Sequence, residues 1–388
     1  MFNIDLALKE VVALDGSDLH LKVGAPPLAR VDGELAPLTE GGQMLTAADT
    51  ETALHSILHD KQRLAEFDEE HEVDFSYEIE GLARFRVNAF RQRGVISIVA
   101  RAIPHAIRTI EQLSLPPVIA ELAAEQRGII LLTGTTGSGK STTLAAIINQ
   151  INETRACHIV TIEDPIEFLH QDKRSVINQR EVGADTQSFK RALRRVLRQD
   201  PDVILVGEMR DEETVQTALS AAETGHLVLS TVHTVDASES INRMLDFFPP
   251  HQHAQVRSMI AGTLKGVVSQ RLVPAADGGR VAACEVLRMT GRVRDLISDP
   301  KQTGALSEVI AEGGYYGMQT FDQALFDHVK SGRVTVEDAM RAASSPHDFK
   351  LLLAADGRRG TTMDDVAATD QRRPAAIAPA GMNGGHAG

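Results

Sequence analysis

The stretch GIILLTGTTGSGKSTT, residues 128–143, decides the fold of this chain. Its apolar part, 128–134, predicts a buried strand, and the residues from Lys140 to about Asn152 predict a helix. The turn between them fits the pattern G-x-x-x-x-G-K-[ST], in the strand–loop–helix context that gives this pattern its meaning. Glycines let such a loop wrap so that backbone N–H groups point at phosphate oxygens, and the helix N-terminus adds partial positive charge. The sequence therefore predicts a phosphate-binding loop in an α/β domain.

We assign nucleotide contacts to every residue of this loop. Lys140 is expected to meet the β- and γ-phosphates of ATP, and the Ser141 hydroxyl is expected to ligate Mg²⁺. A glycine-rich turn without a ligand is the alternative, and the intact frame of strand and helix argues against it. The full predicted set is Gly134, Thr135, Thr136, Gly137, Ser138, Gly139, Lys140, Ser141 and Thr142.

Strands and helices alternate around this loop. After a helix that begins at residue 118, apolar strands are predicted at 128–134, 158–164, 203–208 and 226–233, with helices at 188–199 and 211–224 between them. Because these strands are almost wholly apolar, we expect a parallel sheet that is covered on both faces. The remainder, 235–354, is expected to be mostly helical, with a hairpin around 277–287.

Acidic side chains follow two of these predicted strands. Glu163 and Asp164 end one strand, and Glu208 ends another. Ligands of an open parallel sheet bind outside the carboxyl ends of its strands, so Glu163 and Glu208 are candidates for activating water and for ligating Mg²⁺. Capping of a following helix would explain Asp164 alone, but not two strands that both end in acids. His233 ends a further strand and could contact the γ-phosphate; a hydrogen-bonded structural role is the alternative.

Residues 1–103 predict a smaller α+β unit. The segment 83–90 alternates apolar and polar residues, which places Arg84 and Arg86 together on one face of a strand. The strand that follows it carries Arg101 near its end. A solvated sheet face is the simpler interpretation of these arginines, and their density keeps a role toward phosphates open.

Prolines and local composition predict how the chain is divided into domains. Pro104 and the Pro116-Pro117 pair break regular structure, so we place a linker at 104–117 between the unit 1–103 and a second domain at 118–355. Residues 356–388 are rich in glycine, alanine and charge without apolar periodicity, and we expect a disordered tail there.

Composition narrows the function. The net charge of −13 argues against a dedicated nucleic-acid binder. The two cysteines, Cys157 and Cys284, cannot form a four-cysteine zinc site and indicate a reducing compartment. The N-terminus lacks the pattern of a signal peptide, and no stretch approaches the ~18 apolar residues of a membrane span. We expect a cytoplasmic protein without direct membrane insertion.

Four sequence boxes in this order resemble the secretion ATPase superfamily, and most closely its type IV pilus retraction branch, the PilT-like twitching-motility ATPases. GTTGSGKS resembles the Walker A loop of that family, IVTIEDPIEFLH its Asp box, DPDVILVGEMRDEET its Walker B region and ETGHLVLSTVHT its His box. The stretch SDLHLKVGAPPLARVDGEL resembles its opening, and GMQTFDQAL its C-terminal helices. The resemblance runs from about residue 15 to 355.

This resemblance implies an α/β fold with an N-terminal PAS-like α+β domain, followed by a RecA-like P-loop ATPase domain with a helical C-terminal part. It implies a homo-hexamer that binds ATP and Mg²⁺ between the two domains, and partners in a pilus inner-membrane platform protein and a related pilus ATPase. Glu163 would be the base that activates water, and Glu208 would organise Mg²⁺ through water. Arg86, Arg101 and Arg84 would reach the phosphates.

One helix of the family departs from its pattern here. The retraction branch carries a motif AIRNLIRE, and the corresponding RVRDLISD keeps Arg294, Leu296 and Ile297. It differs at Arg292, Asp295, Ser298 and Asp299. The tetracysteine motif and longer N-terminal region of the assembly and type II secretion ATPases are not found in this sequence, which favours retraction. An assembly or secretion motor, a weakly hydrolysing partner of a second motor and a DNA-translocating motor are the alternatives.

Overall fold

The computed structural model describes residues 2–31, 33–38, 42–103 and 107–357. They form two β-sheets, each with its own hydrophobic core and its own helices. The predicted tail lies outside the described residues from 358 onward, and so does Asp32 in the predicted turn of the first hairpin.

The N-terminal sheet has six antiparallel strands in the order β3-β2-β1-β6-β5-β4. These strands are β1 (Asp18–Leu21), β2 (Leu28–Val31), β3 (Glu34–Pro37), β4 (Glu72–Ile79), β5 (Ala83–Gln92) and β6 (Val95–Ile103). The helices of this part are α1 (Ile4–Ala13), α2 (Ala47–Ile57) and α3 (Lys61–Glu70). Leu8 and Leu54 of these helices and Phe85 of β5 are fully buried in its core. Since side chains alternate along a strand, Arg84 and Arg86 share the opposite face of β5.

The second sheet has seven strands in the order β13-β12-β7-β11-β10-β8-β9. They are β7 (Gly128–Thr133), β8 (His158–Glu163), β9 (Val176–Glu181), β10 (Val203–Val206), β11 (Leu227–Val232), β12 (Leu264–Pro274) and β13 (Arg280–Arg288). All pairings are parallel except the one between β12 and β13. The carboxyl ends of β7, β8, β10 and β11 therefore meet at one edge, as the apolar strand pattern predicted.

Eleven α-helices of the described residues accompany this sheet. They are α4 (Val118–Ala123), α5 (Lys140–Thr154), α6 (Phe189–Val196), α7 (Glu212–Glu223), α8 (Ala237–Asp246), α9 (His253–Thr263), α10 (Gly291–Ser298), α11 (Leu306–Glu312), α12 (Phe321–Lys330), α13 (Val336–Ala342) and α14 (Pro346–Gly357). Short 3₁₀ helices lie at Pro250–Gln252, Thr303–Ala305 and Gly313–Tyr316. None of the helices in the described ranges has the length and apolar content that a membrane span requires.

Two strands differ from the sequence prediction. The strand β9 was not predicted, because it lies at the edge of the sheet and its sequence VINQRE carries polar residues that a central strand would not. The hairpin predicted around 277–287 is longer, since β12 begins at Leu264 inside a region expected to be mostly helical. Its pairing with β7 extends the sheet beside the phosphate loop.

Asn152 of α5 fastens the segment that leads into β9. Its Oδ1 accepts from the backbone N–H groups of Lys173 (3.0 Å) and Ser175 (3.3 Å), and its Nδ2 donates to the carbonyl of Gln171 (2.8 Å). The Asn152 side chain and its bond to the N–H of Ser175 are buried, so that N–H group has little access to water as a substitute partner.

We expect Asn152→Ala to lower the free energy of unfolding by about 2–4 kcal/mol, because it removes three hydrogen bonds and leaves the buried N–H of Ser175 unpaired. Urea unfolding followed by circular dichroism measures this change. Gln150→Ala on the same helix is the control, and we expect a cost below about 0.5 kcal/mol at this less buried position. Equal midpoints for the two variants would contradict the assignment.

Candidate active site

A cleft of about 530 Å³ lies where the carboxyl ends of the parallel strands face the N-terminal sheet. Both parts of the chain line it. Of the predicted site residues, the walls contain Arg86, Arg101, Thr136, Gly137, Gly139, Lys140, Ser141, Thr142, Glu163, Glu208 and His233. Gly134, Thr135 and Ser138 belong to the same loop but are not among the residues that line the cleft, and Arg84 lies apart from it.

The phosphate loop connects β7 to α5 and contains three glycines, Gly134, Gly137 and Gly139, at positions where a side chain would be strained. Gly134 has φ of 138°, and a Cβ there would lie 2.5 Å from the carbonyl oxygen of Gln270. Gly139, with φ of 93°, is the N-cap of α5. Only glycine adopts such angles without strain, so the loop can stay close to β12. The hydroxyl oxygen of Ser138 is buried and has no hydrogen-bond partner among the described residues.

Lys140 is folded over this loop. Its Nζ donates to the carbonyl oxygens of Gly134 (2.8 Å) and Thr135 (2.9 Å). Burial lowers the pKa of the ammonium, against the opposing attraction of Glu208 and Glu167. The lysine is therefore held at the loop by acceptors that a phosphate oxygen can replace.

Glu163 is oriented by three donors at the end of β8. Its Oε1 accepts from the hydroxyl of Thr161 (2.7 Å) and the amide of Gln179 (3.2 Å), and its Oε2 accepts from the backbone N–H of Glu167 (3.4 Å). Burial raises the pKa of this carboxyl, although the three donors favour the charged form. A carboxylate whose pKa is raised is a stronger proton acceptor, which suits a general base.

Glu208 has a different environment from Glu163, although it follows the neighbouring strand β10. Its Oε2 accepts from Nη2 of Arg210 at 2.7 Å, and its Oε1 lies 3.5 Å from Nε2 of His233. Burial would raise its pKa, but the hydrogen bond from Arg210 and the positive charges nearby outweigh burial and hold the pKa below its usual range. Glu208 therefore stays charged, as a carboxylate that organises a cation must.

Arg86 and Arg101 meet as direct cross-strand partners on β5 and β6. Like charges directly opposite each other in a sheet repel, so the pair favours an anion between or beyond them. Arg101 donates from Nε to Asp18 at 2.8 Å, whereas Arg86 is exposed and makes no ion pair with any described residue. Both line the cleft from the side opposite the phosphate loop. Arg84 donates instead to Glu181 at 3.0 Å, so its geometry favours a bond between the two parts of the chain.

Several residues of the site had no assigned role in the sequence. Arg210 and Arg280 line the cleft, and Thr161 and Gln179 hold Glu163. The Arg two positions after Glu208 was a usable signal, whereas Gln179 lies on the unpredicted strand β9. The capping alternative for Asp164 is wrong, because residues 165–175 are irregular and no helix follows it.

Comparisons with known proteins agree with this geometry. The family model for type II/IV secretion system protein matches residues 80–341. A type IV pilus retraction ATPase, PilT of Pseudomonas aeruginosa, is 47% identical over 333 residues, which are 86% of this chain and 96% of the relative. The chain belongs to this secretion ATPase family. Within it the chain is a PilT-like P-loop ATPase, which confirms the family and the enzyme class predicted from the boxes.

Two further relatives extend the comparison. The type IV pilus ATPase PilU of the same organism is 42% identical and covers 89% of this chain and 90% of its own length. The crystal structure of the pilus retraction motor PilT with bound ADP matches with a TM-score of 0.84 at 44% identity, covering 90% of this chain and 99% of that one. The predicted α/β fold, a small N-terminal α+β part before an ATPase domain with C-terminal helices, is thereby confirmed. The exact domain boundaries remain a prediction.

The Thr161 hydroxyl gives a test of the environment of Glu163. Thr161→Val removes one donor from the charged form without changing side-chain shape, so the pKa of Glu163 should rise further. If Glu163 must be deprotonated for turnover, the acid limb of the kcat profile moves to higher pH. Steady-state ATP hydrolysis across pH measures it. An unchanged acid limb in a folded Thr161→Val protein would contradict the link between this hydroxyl and the base.

Proposed function

We propose that this chain is the ATP-hydrolysing motor of type IV pilus retraction. It would act as a homo-hexamer at the inner face of the cytoplasmic membrane, against a pilus platform protein. The observation that carries the proposal is the cleft in which a phosphate loop, a strand-end carboxylate with a raised pKa and two arginines of the other sheet converge. The near-complete coverage of a pilus retraction ATPase supports the choice of machine.

A related pilus ATPase is the second partner that we propose. The chain is similar to two different pilus ATPases of one organism, at 47% and 42% identity. Cells with such machines can therefore hold two members of this family. The experiments below also test the two alternatives from the sequence analysis, an assembly motor and a weakly hydrolysing subunit.

Magnesium fits the oxygen donors at this site. Ser141 and Glu208 both line the cleft beside the loop, and they supply a hydroxyl and a charged carboxylate. No group of three or more His, Cys, Asp or Glu side chains suited to a metal occurs within the described ranges. Mg²⁺ needs none, because it keeps several waters and binds through one or two side chains plus substrate phosphates. When bound with ATP, the ion would neutralise phosphate charge.

The remaining roles follow from the direction of each side chain. Glu163 would take the proton from the attacking water, since its pKa is raised and its two oxygens are held in place. Lys140 would move from the loop carbonyls to the phosphates. Arg86 and Arg101 would offset the charge that develops on the transferred group, which in other phosphoryl-transfer enzymes is worth orders of magnitude in rate. His233 would sense that group through Glu208.

Substitution of Glu163 tests the base directly. We expect Glu163→Gln to bind ATP with nearly unchanged affinity and to lose turnover by at least about 100-fold, the range of general-base catalysis. Lys140→Ala should lose both turnover and nucleotide affinity. Glu223→Gln, on the exposed end of α7, is the matched control and should hydrolyse normally. Normal hydrolysis by Glu163→Gln would exclude it as the base.

Cells that lack the protein separate retraction from assembly. Fluorescently labelled pili should be more numerous and should stop retracting, and the wild-type gene but not the Glu163→Gln gene should restore retraction. Loss of surface pili would instead assign the chain to assembly. Normal retraction with a weakly hydrolysing purified protein would favour the partner-subunit alternative.

A further inference from the structure

Glu181 joins the two sheets at the mouth of the site. It ends β9 and is the register partner of Glu163 at the end of β8. Its side chain is only 5% exposed. Its carboxylate accepts from Oγ of Ser76 (2.8 Å), Nη2 of Arg84 (3.0 Å) and the backbone N–H of Ile166 (3.1 Å). The first two donors come from the N-terminal sheet, and the third comes from the segment after the proposed base.

The backbone of the segment after Glu163 donates hydrogen bonds to two carboxylates. Glu181 accepts from the N–H of Ile166, and Glu163 accepts from the N–H of the next residue, Glu167, at 3.4 Å. Consecutive peptide groups of one short turn thus bind the ends of neighbouring strands. A displacement of Ile166 changes the position of the Glu167 N–H, and with it one of the hydrogen bonds that orient the base.

The strand β5 carries contacts to both the phosphates and this turn. Arg86 lines the cleft, and Arg84, two residues earlier, points from the same face to Glu181. Residues two apart on a strand lie roughly 7 Å apart on a rigid backbone, so they move together. A movement of the N-terminal sheet that carries Arg86 toward or away from phosphate therefore also acts on Glu181.

We propose that Glu181 is a positioning residue through which Arg84 and Ser76 couple the placement of the N-terminal sheet to the orientation of Glu163. The proposal deepens the function above and rests on it. When the two sheets are in contact, Arg84 balances the charge of the Glu181 carboxylate, which accepts the hydrogen bond from the Ile166 N–H. When they separate, Glu181 loses both donors of the N-terminal sheet, and a buried charge without its partner must rearrange. Hydrolysis is thus confined to the arrangement in which arginines and base are both in position.

A double-mutant cycle on purified full-length protein tests this coupling. Arg84→Ala and Glu181→Gln should each lower kcat about tenfold, since small misplacements of a catalytic group cost that much or more. The KM for ATP and the calorimetric Kd for ADP should change less than about twofold, because neither side chain reaches the phosphates in this arrangement. The double variant should lose no more than the worse single variant, because both changes break one linkage. Arg84→Lys should recover part of kcat.

Arg91→Ala is the matched control. Arg91 lies on the same strand β5, and its ion pair with Asp68 (3.8 Å) and its stacking on Phe67 stay within the N-terminal part. It should keep the wild-type kcat even if its melting temperature falls. A loss of kcat in Arg91→Ala equal to that in Arg84→Ala would mean that general destabilisation explains the effect, and would overturn the proposal.

The results of these experiments distinguish failure of the Glu181 linkage from failure of the proposed ATPase function. Wild-type protein without ATP hydrolysis would defeat the proposed function. Active wild-type protein with an unchanged kcat in Glu181→Gln would defeat the linkage alone. Losses that multiply in the double variant would show that Arg84 acts independently of Glu181, for example on phosphate, and would also overturn the linkage. If Glu181→Gln does not fold, Ser76→Ala replaces it: removing this donor should also lower kcat with a nearly unchanged KM, and an unchanged kcat in both Ser76→Ala and Arg84→Ala would overturn the linkage.

Discussion

The parallel register of the central strands is the constraint on which the rest of the site depends. Val232 at the end of β11 pairs with Thr133 of β7, and Val206 of β10 pairs with Ile162 of β8. The loop, the two strand-end carboxylates and the histidine all begin one or two residues beyond these last pairs. Since a slip of one residue turns every side chain to the other face of the sheet, the hydrophobic strands that fix this register also fix the direction of these candidate site residues. The apolar residues that pack the core thus also determine where the candidate site residues lie.

The parts of the site that depend on local pattern could be predicted from sequence, and those that depend on the placement of the two sheets could not. The phosphate loop and both strand-end acids follow from strand polarity and glycine spacing alone. Period-2 alternation correctly placed Arg84 and Arg86 on one face, yet it could not distinguish the arginine that lines the cleft from the one that binds Glu181. That distinction depends on how the two sheets pack against each other. Glu181 itself lies on an edge strand whose polar sequence resembled a loop.

The helix α10 shows how a motif can change without losing its structural role. Leu296 and Ile297, which it shares with the retraction motif, are buried in the core of the ATPase part. Arg292 and Asp295, which depart from the motif, lie on the exposed face, where Arg292 forms an ion pair with Glu312 at 2.7 Å. The substitutions therefore preserve how the helix packs and alter what it presents outward. None of the residues of α10 is among those that line the cleft, so these departures lie outside it.

The Lys140 ammonium donates to two carbonyl oxygens of the loop, and a ligand that binds the lysine competes with them. An incoming anion can accept from the third N–H of the ammonium, and it replaces the two loop carbonyls only with oxygens that attract the charge more strongly than peptide carbonyls do. A polyphosphate meets that requirement, since it offers several negative oxygens at once. A nucleoside brings none, and a monophosphate brings few. By this argument, the affinity of the loop for a ligand should rise with the number of anionic oxygens in that ligand, before any contact to the base or sugar is made.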